Sequence, residues 1–182
     1  MKKIFNILGF KVSWWTCVYG ATSDFVYIGP VFMLVFLIVH FYLNSPNPAE
    51  IKLVISFAII GTLIDTMMAF SGLLSYNGLY GEGIMVAPMW ITAMWCGFAA
   101  MVNHSMAWLK GRWIQSFILG GILGPVAYKA GEGLGAINFN AGQLNVTIML
   151  AIVWGLSMPL IYWVNDRFVL TNANNDPLNP AK

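Results

Sequence analysis

Six stretches of this chain are apolar over about the 20 residues that a helix needs to cross a membrane's hydrocarbon core. They cover residues 4–22, 25–43, 51–72, 85–109, 113–130 and 144–164, with polar breaks between them. The run Asn44-Ser45-Pro46-Asn47-Pro48 and the triplet Lys110-Gly111-Arg112 are the clearest breaks. The first stretch is the weakest, because Lys11 lies inside it. This pattern predicts an all-α transmembrane bundle of about six spans. Residues 1–170 form one domain, and the polar tail 171–182 is expected to be disordered.

Composition excludes the soluble alternative. The chain is 59% hydrophobic and only 9% charged, where soluble domains carry about a quarter charged residues. Mean hydropathy is +0.73. The net charge of +2 does not suggest nucleic acid, because the basic residues stand singly between apolar spans. Cys17 and Cys96 both fall in apolar segments and read as small buried hydrophobes rather than a disulfide or metal pair. The N-terminus imitates a signal peptide, with Lys2 and Lys3 ahead of an apolar run. Lys11 and Trp14-Trp15 fit an uncleaved first span better.

Basic residues orient the bundle. With both termini cytoplasmic, Lys2, Lys3, Lys11, Lys52, Lys110, Arg112, Arg167 and Lys182 collect inside, and Lys129 alone lies outside. Asp24, Glu82 and Glu132 then fall at outer helix ends. His40 and His104 fall near inner ends. Trp90, Trp108, Trp113 and Trp163 lie near span ends, as an interfacial belt would. Trp14, Trp15, Trp95 and Trp154 lie deeper and either pack between helices or line a cavity.

Asp65 is the strongest candidate for chemistry. It lies thirteen residues beyond Lys52, or roughly 20 Å along a helix, which places it within the hydrocarbon. A carboxylate there costs a few kcal/mol and marks a functional site by default. Gly61, Asp65, Met68 and Gly72 share a helical face that should turn into the bundle. Asp65 could relay protons, bind a cation or act as a general base. Alternatively, it could simply be bonded to Lys129, Tyr128 or backbone.

Residues 120–136, G-G-I-L-G-P-V-A-Y-K-A-G-E-G-L-G-A, read as the wall of a polar cavity. Gly120, Gly121 and Gly124 allow close helix approach. Pro125 should kink or loosen the helix, opening backbone beside Tyr128, Lys129 and Glu132. Lys129 and Glu132 are three apart and can pair locally, or Lys129 can reach Asp65. Gly-Glu-Gly occurs at residues 81–83 and 131–133, which is too little for a repeat. His104 lies on the small-residue face Ala93, Gly97, Ala100 and could pair with His40 and Asn103. Two histidines are too few for a di-iron oxidase. Serine-hydrolase, zincin, CxxC and Walker-type motifs are all missing, so neither metal nor cofactor is expected.

A family resemblance rests on several of these residues. They are Trp14-Trp15 with Gly20, His40, Gly61-x-x-x-Asp65, Pro88-x-Trp90 with Trp95 and Phe98, and above all Gly120-Gly121-x-x-Gly124-Pro125-x-x-Tyr128-x-x-Gly131-x-x-x-Gly135-Ala136. The chain resembles a family of small bacterial inner-membrane proteins of unknown function, over nearly its whole length short of the tail. The resemblance implies a polytopic inner-membrane protein and brings no activity with it.

Three functions remain open. The first is a protein that binds or transports a small molecule or lipid in an outer-half polar cavity, at Asp65, Tyr128, Lys129, Glu132, Trp14, Trp95 and His104. The second is an enzyme acting on lipid or fatty-acid substrates, which lacks an evident nucleophile or metal set. The third is an accessory subunit of a membrane complex. Expected partners are membrane lipids, a small hydrophobic or amphipathic ligand and a membrane partner protein, with no nucleic acid. The first reading is preferred. It implies that Gly124→Leu harms folding more than the isosteric Asp65→Asn.

Overall fold

The computed structural model describes residues 2–44, 47–81 and 86–175, with side chains as far as Val169. Glu82 and Gly83 of the first Gly-Glu-Gly lie outside the described residues. The chain is mostly α: helices α1 (Lys2–Ala21), α2 (Ile28–Asn44), α3 (Pro48–Phe70), α4 (Met89–Ala99), α5 (Trp113–Gly133) and α6 (Gln143–Asn175), plus two short strands, β1 (Leu74–Tyr76) and β2 (Ile137–Phe139). Two helical stretches, Pro48–Phe70 and Gln143–Val169, are long and apolar enough to cross a membrane.

Local chemistry sets the α3 boundaries. Asn47 caps its start by accepting the Ala49 N–H at 2.9 Å, and Pro48 occupies the first turn, where no N–H is needed. Gly72 ends it with a φ of 72°, a left-handed turn that glycine takes without a Cβ penalty. The chain then runs back as β1, which pairs antiparallel with β2 through Leu74–Phe139, Ser75–Asn138 and Tyr76–Ile137. This ladder, which has no counterpart in the expected spans, closes one end of the bundle. Gly72 therefore lies beyond the helical face it was expected to share with Gly61, Asp65 and Met68, which are all buried.

The fourth apolar stretch departs furthest from expectation. Helix α4 has only 11 residues, and the chain continues through turns to a single 3-10 turn at Ala107–Leu109. Side chains from other helices satisfy the backbone that leaves the helix. Asn6 donates to the Ala100 carbonyl at 3.2 Å and accepts the Ser105 N–H at 3.3 Å. The Tyr162 hydroxyl donates to the Met106 carbonyl at 2.8 Å. Irregular backbone is tolerable in an apolar setting when protein buries and pairs it.

Helix α5 runs unbroken through Pro125, so the expected opening does not occur. A Cβ built at Gly120 or Gly124 would collide with Trp154 of α6, and this close packing holds the turn that leads into the proline. Helix α6 continues to Asn175, past the start of the tail expected to be disordered. Its polar extension is tied back by Asn103–Asn165 amide bonds of 2.8 and 3.0 Å and by Lys110–Asp166 at 3.0 Å.

The bundle is apolar outside as well as inside. Ile55, Ile59, Leu63 and Met67 form an exposed stripe on α3, and Ile148, Ile152, Leu156 and Leu160 form one on α6. Exposed Ile4, Leu8 and Val12 on α1, Val31, Val35 and Ile38 on α2, and Ile114, Ile118 and Ile122 on α5 continue this surface. Meanwhile Asn6, Ser13, His40, Glu50, Asp65, Ser116, Ser157 and Asn165 are buried. Trp90, expected near an interface, is buried beneath the ladder and donates its indole N–H to the Asn77 carbonyl at 2.9 Å.

Candidate functional site

Two buried carboxylates define the interior, one toward each end of the bundle. Asp65 lies beneath the ladder and is wholly buried. Tyr76 of β1 donates its hydroxyl to Oδ1 at 2.5 Å, Tyr128 of α5 donates to the same oxygen, and Trp95 of α4 donates its indole N–H to Oδ2 at 2.6 Å. Three neutral donors from three elements thus hold one acid. Hydrogen bonds to a charged group are worth about 1.5–3 kcal/mol each, so together they offset part of the cost of burying the acid. Burial, with the Asp65 charge beside it, pushes the Tyr76 phenol well above its usual range, which keeps it a donor. A Cβ at Gly61 would land inside the Trp95 indole, so this glycine is what lets the ring lie across α3. Trp95 stacks on Trp154 with centroids 4.7 Å apart and planes 1° from parallel.

Beside this cluster is a cavity of about 380 Å³, reaching from Ile137 of β2 to Trp108 and Leu109 of the 3-10 turn. Phe10, Trp14 and Val18 of α1 face Leu123, Gly124 and Ala127 of α5 across it. Helices α1 and α5 are not among the pairs that pack extensively, whereas α5 with α6, α1 with α2 and α3 with α4 are. The glycine-rich stretch therefore walls an apolar cavity, not the polar, outer-half cavity expected from Tyr128, Lys129 and Glu132. The reason is geometric: the helix stays closed at Pro125 and the Tyr128 hydroxyl is turned onto Asp65. Trp154 Nε1 is buried in this wall with no hydrogen-bond partner among the described residues.

The second acid is Glu50, in the first turn of α3 and 5% exposed. His40 Nε2 lies 3.1 Å and His104 Nε2 2.7 Å from its Oε1. The two imidazoles meet edge to face with centroids 4.5 Å apart. Behind them, Ser105 donates its hydroxyl to Asn6 Oδ1 at 2.5 Å. A polar pocket of about 320 Å³ adjoins the cluster, lined by Asn44, Asn47, Glu50, Asn103 and His104.

The structure thus brings Asp65, Tyr128 and Trp95 together and puts Trp14 in the cavity wall. Lys129 does not reach Asp65: it bonds Gln143 and, at 2.5 Å, Glu132 at an exposed position. His104 sits at the opposite end of the bundle from Asp65. It pairs with His40 as expected, but Asn103 bonds Asn165 instead. Glu50 had no place in the sequence reading, nor did Asp166, so acids are not confined to the ladder end. The signal for Glu50 was Asn47-Pro-Ala-Glu50, which reads as an ordinary capping box. Tyr76 was hidden because nothing local predicts that the chain doubles back under α3.

Taken together, the fold and its interior define a small, mostly α protein with two membrane-length helices, an apolar cavity and two buried carboxylate clusters. The chain belongs to DUF2878, a protein family of unknown function, whose model matches residues 3–160. No curated protein and no solved structure matches it.

Proposed function

We propose that this chain is a six-span membrane protein that binds an apolar ligand of the lipid acyl-chain class between α1, α4, α5 and α6. The observation carrying the reading is the cavity of about 380 Å³, within the range of about 300–1,000 Å³ common for ligand pockets. Apolar side chains line it almost throughout. Its one ionisable side chain is Tyr128, whose hydroxyl is committed to Asp65, which favours binding over catalysis there. The loosely packed α1–α5 seam offers lateral entry from a bilayer.

The membrane reading draws on the exposed apolar faces of α1, α2, α3, α5 and α6 around an interior that holds the buried polar groups in paired clusters. Such an arrangement suits lipid as the solvent. Lys2, Lys3, Lys52, Lys110 and Arg112 gather at the Glu50 end, which makes that end cytoplasmic by the positive-inside rule, in a bacterial inner membrane.

Native mass spectrometry with lipid extraction, after purification in mild detergent, tests the binding. Ala127 is exposed and lines the cavity, so Ala127→Trp fills the space without disturbing the helix contacts. Wild type should retain an acyl-bearing adduct that the variant loses at unchanged thermal stability. Equal adducts in both, or none in wild type, would overturn the proposal.

A further inference from the structure

We propose that His40, Glu50 and His104 form a binding site for a divalent transition-metal ion of the zinc class. The proposal does not depend on the cavity. The three side chains come from the end of α2, the first turn of α3 and the turn after α4. One ligand atom from each lies within 4.8 Å of the others. The present separations are 3.1 and 2.7 Å from the imidazole nitrogens to Glu50 Oε1. Around a tetrahedral zinc with bonds of about 2.0–2.1 Å, neighbouring ligand atoms stand about 3.4 Å apart, so the two contacts to Glu50 open by well under 1 Å and the two imidazoles, whose nitrogens lie within 4.8 Å, draw together by no more than about 1.4 Å. Two imidazoles and a carboxylate suit zinc, iron or nickel rather than calcium or magnesium. The pocket lined by Asn44, Asn47 and Asn103 leaves room for water or substrate in a further coordination position.

The surrounding amides set a condition on binding. His40 Nδ1 faces the Nδ2 groups of Asn6 and Asn44, each at 3.3 Å. Asn6 cannot turn over, because it accepts the Ser105 N–H and donates to the Ala100 carbonyl. Without metal, His40 Nδ1 therefore accepts and its proton sits on Nε2, toward Glu50. Metal uptake moves that proton to Nδ1, and a ligating histidine needs an acceptor there. Asn44 can supply one. It is half-buried at the end of α2, and swinging its amide off the His40 carbonyl, to which it now donates at 2.8 Å, turns Oδ1 toward Nδ1–H, while the ring draws away from the Asn6 amide that stays on the Ala100 carbonyl. His104, one-fifth exposed, shifts its own proton to Nδ1 against water.

The test is cobalt titration of the untagged, chelator-stripped chain in mild detergent, followed by its ligand-field absorption. Wild type should take up one Co²⁺ per chain, displaceable by Zn²⁺. His104→Asn and Glu50→Gln should weaken uptake at least tenfold. Asn44→Asp, which places a permanent acceptor beside His40 Nδ1, should tighten it by about tenfold, as second-shell partners do. Circular dichroism and unfolding temperature establish that each variant is folded. No stoichiometric uptake by folded wild type overturns the site, as does equal uptake by His104→Asn. Uptake by Asn44→Asp alone also overturns it, since the native amide then keeps the ion out.

Discussion

The two buried acids face the same electrostatic cost and meet it with different chemistry. Asp65 is held by two phenols and an indole, groups that donate and do not readily change charge. Glu50 is held by two imidazoles, which can exchange protons, switch tautomer or ligate a metal. Asp65 is fully enclosed, whereas Glu50 borders a polar pocket. An acid fixed by inert donors ties elements together: here α3, α4, α5 and β1 meet on one carboxylate. An acid held by convertible partners beside open space is the one that the proposed metal site uses. In this reading Asp65, the strongest candidate by position alone, is the structural member of the pair.

The sharpest way to break this comparison is to neutralise each acid without changing its shape. Asp65→Asn puts an NH₂ group either against the donor-only Trp95 indole or against the two phenols, which must then turn to accept it, so at least one of the three bonds to the acid is lost. It should cost about 3–5 kcal/mol, the range for breaking a buried charge network. Glu50→Gln should cost only about 1 kcal/mol, because its amide oxygen can take the place of Oε1, where both imidazoles bond. Thermal unfolding in detergent compares the two. Equal losses would show that the partners' chemistry does not distinguish the sites.

Next in size is Gly124→Leu, expected to cost about 3 kcal/mol by overpacking, since even its Cβ would meet the base of the Trp154 indole. Gly121→Ala should cost much less, because its nearest neighbour is the Ala151 carbonyl oxygen at 3.2 Å. Similar unfolding temperatures for these two variants would remove the argument for a glycine-seated tryptophan. The expectation that Gly124→Leu is worse than Asp65→Asn is reversed here. A carboxylate that accepts from an indole and two phenols at once loses at least one of these bonds to an amide, and that could not be known before the partners were placed.

Those donors show where legibility ends. Asp65 on the Gly61 face and the glycine approach of α5 follow from helical period and side-chain size, so both were readable. Trp95 was readable as a deep tryptophan, but not as a hydrogen-bond donor. Tyr76 depends on a reversal at Gly72 and on pairing with β2, some sixty residues away, which apolar periodicity does not encode. The short α4 was concealed because residues 100–109 remain apolar enough to resemble a span, while their backbone partners come from α1 and α6. Tyr76→Phe tests the least legible contact. It should cost about 1.5–2 kcal/mol, less than loss of the acid, because Tyr128 still serves the same oxygen. A larger loss would mean that the ladder itself depends on the hydroxyl.

Lys129→Met should have the smallest effect, within about 0.5 kcal/mol. From the sequence, Lys129 was a natural counter-ion for Asp65, being the one cation near the ladder end. The structure turns it toward Glu132 and Gln143, with its side chain about half exposed at 54%. There water screens the pair, and holding a long side chain in place cancels much of the attraction. Its 5.8 Å approach to the Phe139 ring adds little at such exposure. The informative quantity is therefore a double-mutant cycle of Lys129→Met with Tyr128→Phe, read by unfolding temperature. Additive effects are expected, because Lys129 lies outside the Asp65 network. A coupling above about 1 kcal/mol would place Lys129 within that network and give Asp65 a charged partner after all, and the contrast with Glu50 would then fail.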